Sequence, residues 1–255
     1  MAQIKLLIIG SDENWSLEKY YRKYLQASGE IELSFCPVQS IFYQKYNKSI
    51  FHKILFRSGL SCISRKLDNI ARRQVEASTP AIVWVFKGME LKPSFFLWVR
   101  SKGIKLVNYN PDNPFIFSGA GSGNKNVTSS IGLFDLHLTY DKSVKEVIES
   151  RYHIPCAILP FGYELGDALY HECIQQEEVL KVCFIGNPDK QRVKFLEKIA
   201  ERVSIDVYGH NWSLYTQHVN ITCLPPVYGD EFWKTLFRYR VQLNLMRIHN
   251  PTSHN

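Results

Sequence analysis

Short apolar runs rich in β-formers recur along the chain, each closed by a turn and several followed by apolar positions three and four residues apart. That alternation predicts parallel strands joined by amphipathic helices. It is clearest at Leu180–Ile185, where the run ends in Gly186-Asn187-Pro188-Asp189 and Val193, Leu196, Ile199 and Val203 then fall on one helical face. The chain opens in the same way: Ile4–Ile9 runs into Gly10-Ser11-Asp12, and Trp15–Ala27 has a helical pattern. Two such openings far apart predict an α/β protein of two Rossmann-like, doubly wound parallel-sheet domains, an N-terminal one over 1–165 and a C-terminal one over 178–255.

Between these openings, Ile31–Phe35 alternates as a second strand, and Ala81–Phe86 is apolar throughout, as a central parallel strand covered on both faces must be. Ile104–Tyr109 and Asp135–Tyr140 are further strands, with Asp141 placed to cap the helix that follows, and Ala157–Leu159 is the last of the first half. His137, in mid-strand, reads as a packed histidine rather than a base. The polar stretch Glu164–Glu178 marks the boundary. In the second half, strands are expected at Ile205–Tyr208, Ile221–Leu224 and Val241–Met246, with a helix capped by Asp230 before the last. A doubly wound half normally continues further, so the second domain reads as incomplete. Gly119–Asn124 contains spaced glycines but lacks a strand directly before and a helix directly after, so it reads as a loop over a cleft and not as a dinucleotide fingerprint.

Composition narrows the partners. A hydrophobic fraction of 45% in 255 residues excludes disorder, and a net charge of +7 points to an anionic partner. Much of that charge is local: Lys45–Glu76 holds eight Lys or Arg and two acids. Ile50, Phe51, Ile54 and Leu55 lie among the basic residues. The plainer reading is a core-facing helix with a solvated basic face, and the other is a peripheral patch for an anionic membrane surface. Nucleic-acid binding through Lys45–Arg73 lacks interleaved exposed aromatics and any known module signature. Six scattered cysteines without a C-x-x-C read as buried free thiols of a reducing cytoplasm. Neither a signal peptide nor a membrane-length run is expected, which gives a cytoplasmic expectation.

Two places carry candidate chemistry. At the β–turn–α around residue 186, Asp189 is placed to cap the helix. The first-turn N–H groups with Lys190 and Arg192 would receive phosphate oxygens. At the ends of two central strands lie Lys87-Gly88 and Asn110-Pro111-Asp112-Asn113-Pro114. The second reads either as a set of polar substrate contacts or as a rigid Asx-type turn.

Val107–Phe115, Asp135–Tyr140 and Val182–Lys190 resemble the CgeB-like glycosyltransferases, the spore-maturation-protein group of two-domain, GT-B-type enzymes. Val241–Arg247 with Ser253-His254-Asn255 is similar to that family's next block. The resemblance implies metal-independent transfer of a sugar from a nucleoside diphosphate sugar to an acceptor hydroxyl, with no bound cofactor. The C-terminal half would hold the donor and the N-terminal half the acceptor, which could be a glycan, protein or small molecule. By position, Gly186, Asn187, Lys190 and Arg192 would face the diphosphate, Tyr208 and Gly209 would line the cleft, and Ser253, His254 and Asn255 would begin the next donor-contacting element. Asp112 is the candidate base, with Lys87, Asn110 and Asn113 on the acceptor side. The family's later acidic residue and Gly-Gly turn are absent here, which leaves a fragment or a degenerate, non-catalytic nucleotide-sugar-binding or scaffold member as the alternatives.

Overall fold

The structure is a computed structural model describing residues 3–57, 63–116 and 124–245. The chain divides into two compact units, the first ending at Phe161 and the second starting at Gly162.

The first unit runs β1 (Ile4–Ile9), α1 (Leu17–Ala27), β2 (Ile31–Cys36), α2 (Val38–Tyr46), α3 (Ile50–Arg57), α4 (Ile63–Ser78), β3 (Ile82–Phe86), α5 (Pro93–Ser101), β4 (Lys105–Tyr109), α6 (Lys125–Ser130), β5 (Leu136–Thr139), α7 (Lys142–Val147) and β6 (Cys156–Ile158). Its six strands form one parallel sheet in the order β2-β1-β3-β4-β5-β6. Side chains alternate across a strand, so an apolar run fills two cores at once. Leu7, Ile9, Val83, Val85 and Leu106 pack with Leu67, Ala71 and Val75 of α4 and Phe95, Phe96 and Val99 of α5. Leu6, Ile8, Trp84, Phe86 and Tyr109 face the other way, against Leu17, Tyr21 and Leu25 of α1. Tyr21 meets Trp84 edge-on at 4.9 Å between ring centroids.

The second unit runs α8 (Asp167–Cys173), β7 (Val182–Ile185), α9 (Lys190–Ala200), β8 (Ile205–Tyr208), β9 (Ile221–Leu224), α10 (Asp230–Phe237) and β10 (Val241–Leu243). Its parallel sheet has the order β10-β7-β8-β9. Phe184, Ile205 and Val207 pack with Val193, Leu196 and Ala200 of α9 and with the buried Trp212. The opposite face carries a polar network. Asp206 accepts from Lys181 Nζ and from the Tyr239 hydroxyl, each at 2.8 Å, and Tyr239 also pairs with the Tyr208 hydroxyl at 2.8 Å.

One local expectation is corrected and another holds. Asp230 does not cap α10: Gly229 holds the cap position, and Asp230 is the first helical residue. The helix expected after Asp141 is α7, capped by Asp141 Oδ1 through the N–H groups of Ser143 and Val144, and its end widens into a π-turn at Ile148–Tyr152. The five described cysteines are unpaired, and burial raises the Cys36 and Cys156 thiols to about 11. No helix among the described residues is long and apolar enough to cross a membrane.

Candidate functional site

Each sheet reverses its strand order once. In the first unit the chain steps from β1 outward to β2 and returns on the other side at β3. In the second it steps from β7 through β8 to β9 and returns beside β7 at β10. Open parallel sheets bind ligands beyond the carboxyl ends of the strands flanking such a reversal, because there the two connections leave for opposite faces and part.

In the first unit, the carboxyl end of β1 is filled from within. Glu18, near the start of α1, folds back so that Oε1 accepts the Ser11 N–H at 2.7 Å, and the residue is 5% exposed. A Cβ on Gly10 would lie 2.2 Å from that oxygen, so the glycine is what lets the carboxylate in. Burial raises the Glu18 carboxyl above its ordinary value, opposed by its own N–H, by that of Ser11 and by the charge of Lys87. Glu90 lies in the same field. It is buried and accepts from Gln39 Nε2 at 3.3 Å, and burial raises its carboxyl while its own N–H, Gln39 and Lys87 act against the rise.

Lys87 follows β3 directly. The Gly88 N–H donates to Phe86 O at 2.7 Å around a Lys87 φ of +57°, which makes Lys87 the centre of the strained form of the γ-turn. A non-glycine residue in that region costs of order 1–3 kcal/mol, and such strain gathers at functional sites. The turn brings Lys87 Nζ to 2.6 Å from Asp112 Oδ2, with both side chains 23% exposed. Asp112 is held in turn by its own N–H, which donates to Asn110 Oδ1 at 3.0 Å, while Asn113 Oδ1 accepts from Phe115 N at 3.0 Å. The Pro-rich segment is therefore two successive Asx turns that present one carboxylate. Lys87, Asn110 and Asp112 come together, whereas Asn113 forms the second turn.

Asn110 is 3% exposed, and its Nδ2 has no hydrogen-bond partner. With Lys87, Asn108, His137 and Thr139 it lines a cavity of about 10 Å³, close to the size of one water. His137 is a packed histidine: its Nε2 lies 2.9 Å from Ile131 O, its ring meets Phe134 edge-on, and burial lowers it to about 4. Around the ion pair, burial raises the Tyr43, Tyr109 and Tyr140 phenols, and the charge of Asp112 adds to the rise at all three.

In the second unit, the turn after β7 has a different occupant. Asp189 Oδ1 caps α9, accepting the Gln191 and Arg192 N–H groups at 3.0 Å each. Arg192 is turned inward. Its Nε donates to Leu245 O at 3.0 Å and its Nη1 to Asn187 O at 3.0 Å, which ties the turn to the chain leaving β10. Lys190 is the exposed cation of this corner. Asn187 Oδ1 accepts from the His210 N–H at 3.0 Å, and His210 Nε2 lies 2.9 Å from the Tyr228 hydroxyl. Gly209 is fixed by close approach, since a Cβ there would lie 2.3 Å from Gly186 O, to which Trp212 Nε1 also donates at 2.8 Å. Tyr208 points into the polar network with Tyr239 and Asp206. Gly186, Asn187, Lys190, Arg192 and Gly209 thus meet at one sheet end. Ser253, His254, Asn255 and the glycine-rich segment 119–123 lie outside the described residues.

The sequence reading passed over Glu18, Glu90, Tyr43, His210 and Tyr228. A signal existed for Glu90, a lone acid between Met89 and Leu91 just after a strand, and for Glu18 in the first turn of its helix. No three His, Cys, Asp or Glu side chains among the described residues converge as a metal-ligand set.

No protein-family model and no curated protein matches the chain. Solved structures do. A UDP-GlcNAc 2-epimerase from Neisseria meningitidis bound to UDP-GlcNAc is similar with a TM-score of 0.59 at 12% identity, over 94% of this chain and 77% of that one. A sucrose-phosphate synthase from Thermosynechococcus elongatus gives 0.58 at 8% identity, over 94% and 75%. A UDP-forming trehalose-phosphate synthase from Burkholderia xenovorans gives 0.56 at 10% identity, over 95% and 77%. At these identities the likeness is one of fold: an α/β chain with two Rossmann-like parallel sheets, as in the GT-B proteins.

Proposed function

We propose that the chain is a glycosyltransferase moving a sugar from a nucleoside diphosphate sugar to an acceptor hydroxyl. The observation that carries this reading is the strained Lys87 turn, which presents its ammonium to the Asp112 carboxylate at 2.6 Å at the carboxyl end of the first sheet. The fold adds support, since proteins that share it are, by name, enzymes of UDP-sugars and sugar phosphates. The three motif stretches similar to the CgeB-like group favour transfer over epimerisation.

In the proposed reaction the acceptor hydroxyl gives its proton to Asp112, and its oxygen forms a bond to the anomeric carbon. The bond from that carbon to the diphosphate breaks, and the electron pair leaves with the nucleoside diphosphate. Negative charge then grows on the leaving group, where the N-terminal end of α9 and Lys190 would meet it. Lys87 orients Asp112, and Asn110 fixes the turn that carries it. Asn187, Gly209 and His210 form the rim on which the donor would rest.

The test is transfer and hydrolysis of radiolabelled nucleoside diphosphate sugars, surveyed as a panel. Asp112→Asn is expected to lower transfer by about 10²–10⁴-fold, the usual span for a lost general base, with nucleotide affinity unchanged. Unaltered turnover in that variant removes Asp112 from the mechanism. A second reading, a non-catalytic nucleotide-sugar-binding or scaffold protein, is favoured by one observation. The Asp189 cap and the inward Arg192 take up donors that a bound diphosphate would otherwise use. Binding without turnover across the whole panel selects it.

A further inference from the structure

The charge of this protein is unevenly distributed. From Leu33 to Leu67 there are six Lys or Arg and neither Asp nor Glu, so this acid-free stretch carries +6 of a formal +7. Its next acid, Asp68, is buried and accepts the Lys92 N–H at 3.3 Å, so it presents little charge to solvent beside the stretch.

Three apolar side chains of α3, within this stretch, are not buried as those of a core-facing helix would be. On α3, Ile50, Phe51 and Ile54 are 65%, 72% and 55% exposed. They stand at positions i, i+1 and i+4, one surface of a helix. Lys53 on the same helix places its ammonium 5.6 Å from the Tyr46 ring centroid, and Lys48 is exposed on the connection from α2. Single exposed apolar residues need no explanation, and Leu180, beside Glu177 and Glu178, is one. Three adjacent large ones inside the longest acid-free stretch of the sequence are a different case.

We propose that α3 and its flanking lysines form a docking surface for an anionic lipid bilayer. Phe51, Ile50 and Ile54 would enter the boundary between headgroups and acyl chains, and Lys45, Lys48 and Lys53 would meet the lipid phosphates. Charge complementarity selects an anionic partner, and the apolar cluster selects a surface with an accessible hydrocarbon layer over a nucleic acid. The proposal is independent of whether the chain transfers sugar.

The experiment is flotation of the full chain with two kinds of vesicle: pure phosphatidylcholine, and phosphatidylcholine with about a third phosphatidylglycerol, a composition chosen for its surface potential. Binding is expected to the anionic vesicles alone and to weaken as salt rises. The triple substitution Lys45→Glu, Lys48→Glu, Lys53→Glu should lower partitioning about a hundredfold, since each lysine near an anionic surface adds roughly fivefold. The triple substitution Ile50→Ser, Phe51→Ser, Ile54→Ser leaves the charge intact and should still lower it about tenfold or more. All six positions are at least partly exposed, so both variants should keep the parent melting temperature, which is measured alongside. Three outcomes overturn the proposal: no flotation with anionic vesicles, equal flotation with neutral ones, or a serine variant that partitions like the parent. Oligonucleotide binding that ignores the serine substitutions assigns the surface to a polyanion instead.

Discussion

The turns after β1 and after β7 begin from nearly the same sequence logic, an apolar strand, a glycine and a helix, yet they are finished differently. After β1 the protein supplies its own anion: Glu18, 5% exposed, takes the Ser11 N–H, and Gly10 provides the space. After β7 the cap is Asp189, whose side chain is 37% exposed, and an exposed Lys190 stands beside it. The strand–glycine–helix pattern therefore marks where an anion can be held, and in both turns the chain supplies a carboxylate, buried after β1 and partly exposed after β7. Under the proposed function the first turn is closed, and the second is the one where a diphosphate would have to displace the exposed Asp189 cap. In the first unit the Lys87–Asp112 ion pair, the proposed acceptor-side group, lies beyond the ends of the neighbouring strands.

The largest effect expected from breaking this comparison lies in the two glycines. A Cβ at Gly209 meets backbone, Gly186 O at 2.3 Å, whereas at Gly10 it meets only the Glu18 side chain. Gly209→Ala should therefore destabilise the second unit by about 3 kcal/mol, at the upper end for forced overpacking. Gly10→Ala should cost about 1 kcal/mol, and Glu18→Ala in the same chain should remove most of that cost. Denaturant unfolding of the two single variants and the double variant checks both. Equal costs at the two glycines would mean that the turns are built alike.

A smaller effect sharpens the role of Glu18. Removing the carboxylate with Glu18→Ala leaves the Ser11 N–H without its acceptor, which should cost about 1–2 kcal/mol. Added inorganic phosphate should then raise the melting temperature of the variant and not that of the parent. The pH dependence has a definite sign. The folded Glu18 carboxyl is raised above its ordinary value of 4.5, so the folded state binds its proton more tightly than the unfolded chain does. Its contribution is fully present below 4.5 and is lost as pH rises through the raised folded value. Glu18→Gln keeps an acceptor for Ser11 without the charge, so its stability relative to the parent should increase across that interval and level off above it. A flat difference would show that the carboxylate is not penalised by burial.

Much of this architecture was legible in the residues. Ala81–Phe86 could only be a covered strand, and Asp141 and Asp189 were readable as caps because a short acceptor directly before a helical pattern has few other uses. The proximity of Lys87 to Asp112 was not legible, since it depends on β3 and β4 being neighbours and on a γ-turn that no local preference of lysine favours. Glu18 and Glu90 carried only a positional signal for a related reason: an acid in a sequence reads as surface until the fold buries it. The direction of Arg192 was not legible, because sequence gives its charge alone, and Leu245 O, 53 residues away, accepts from its guanidinium. The exposed Phe51 ran against expectation as well, because an amphipathic pattern does not say which face meets the core.

The most direct test of the central claim is to follow the backbone amides of the full chain by NMR as a nucleoside diphosphate is added. The account predicts shifts that saturate together at Gly186, Asn187, Lys190, Gln191 and Gly209, with Ser11 and Asp12 unmoved. Saturable shifts at Ser11 and Asp12 with none around Lys190, or no shifts in either turn, would contradict it.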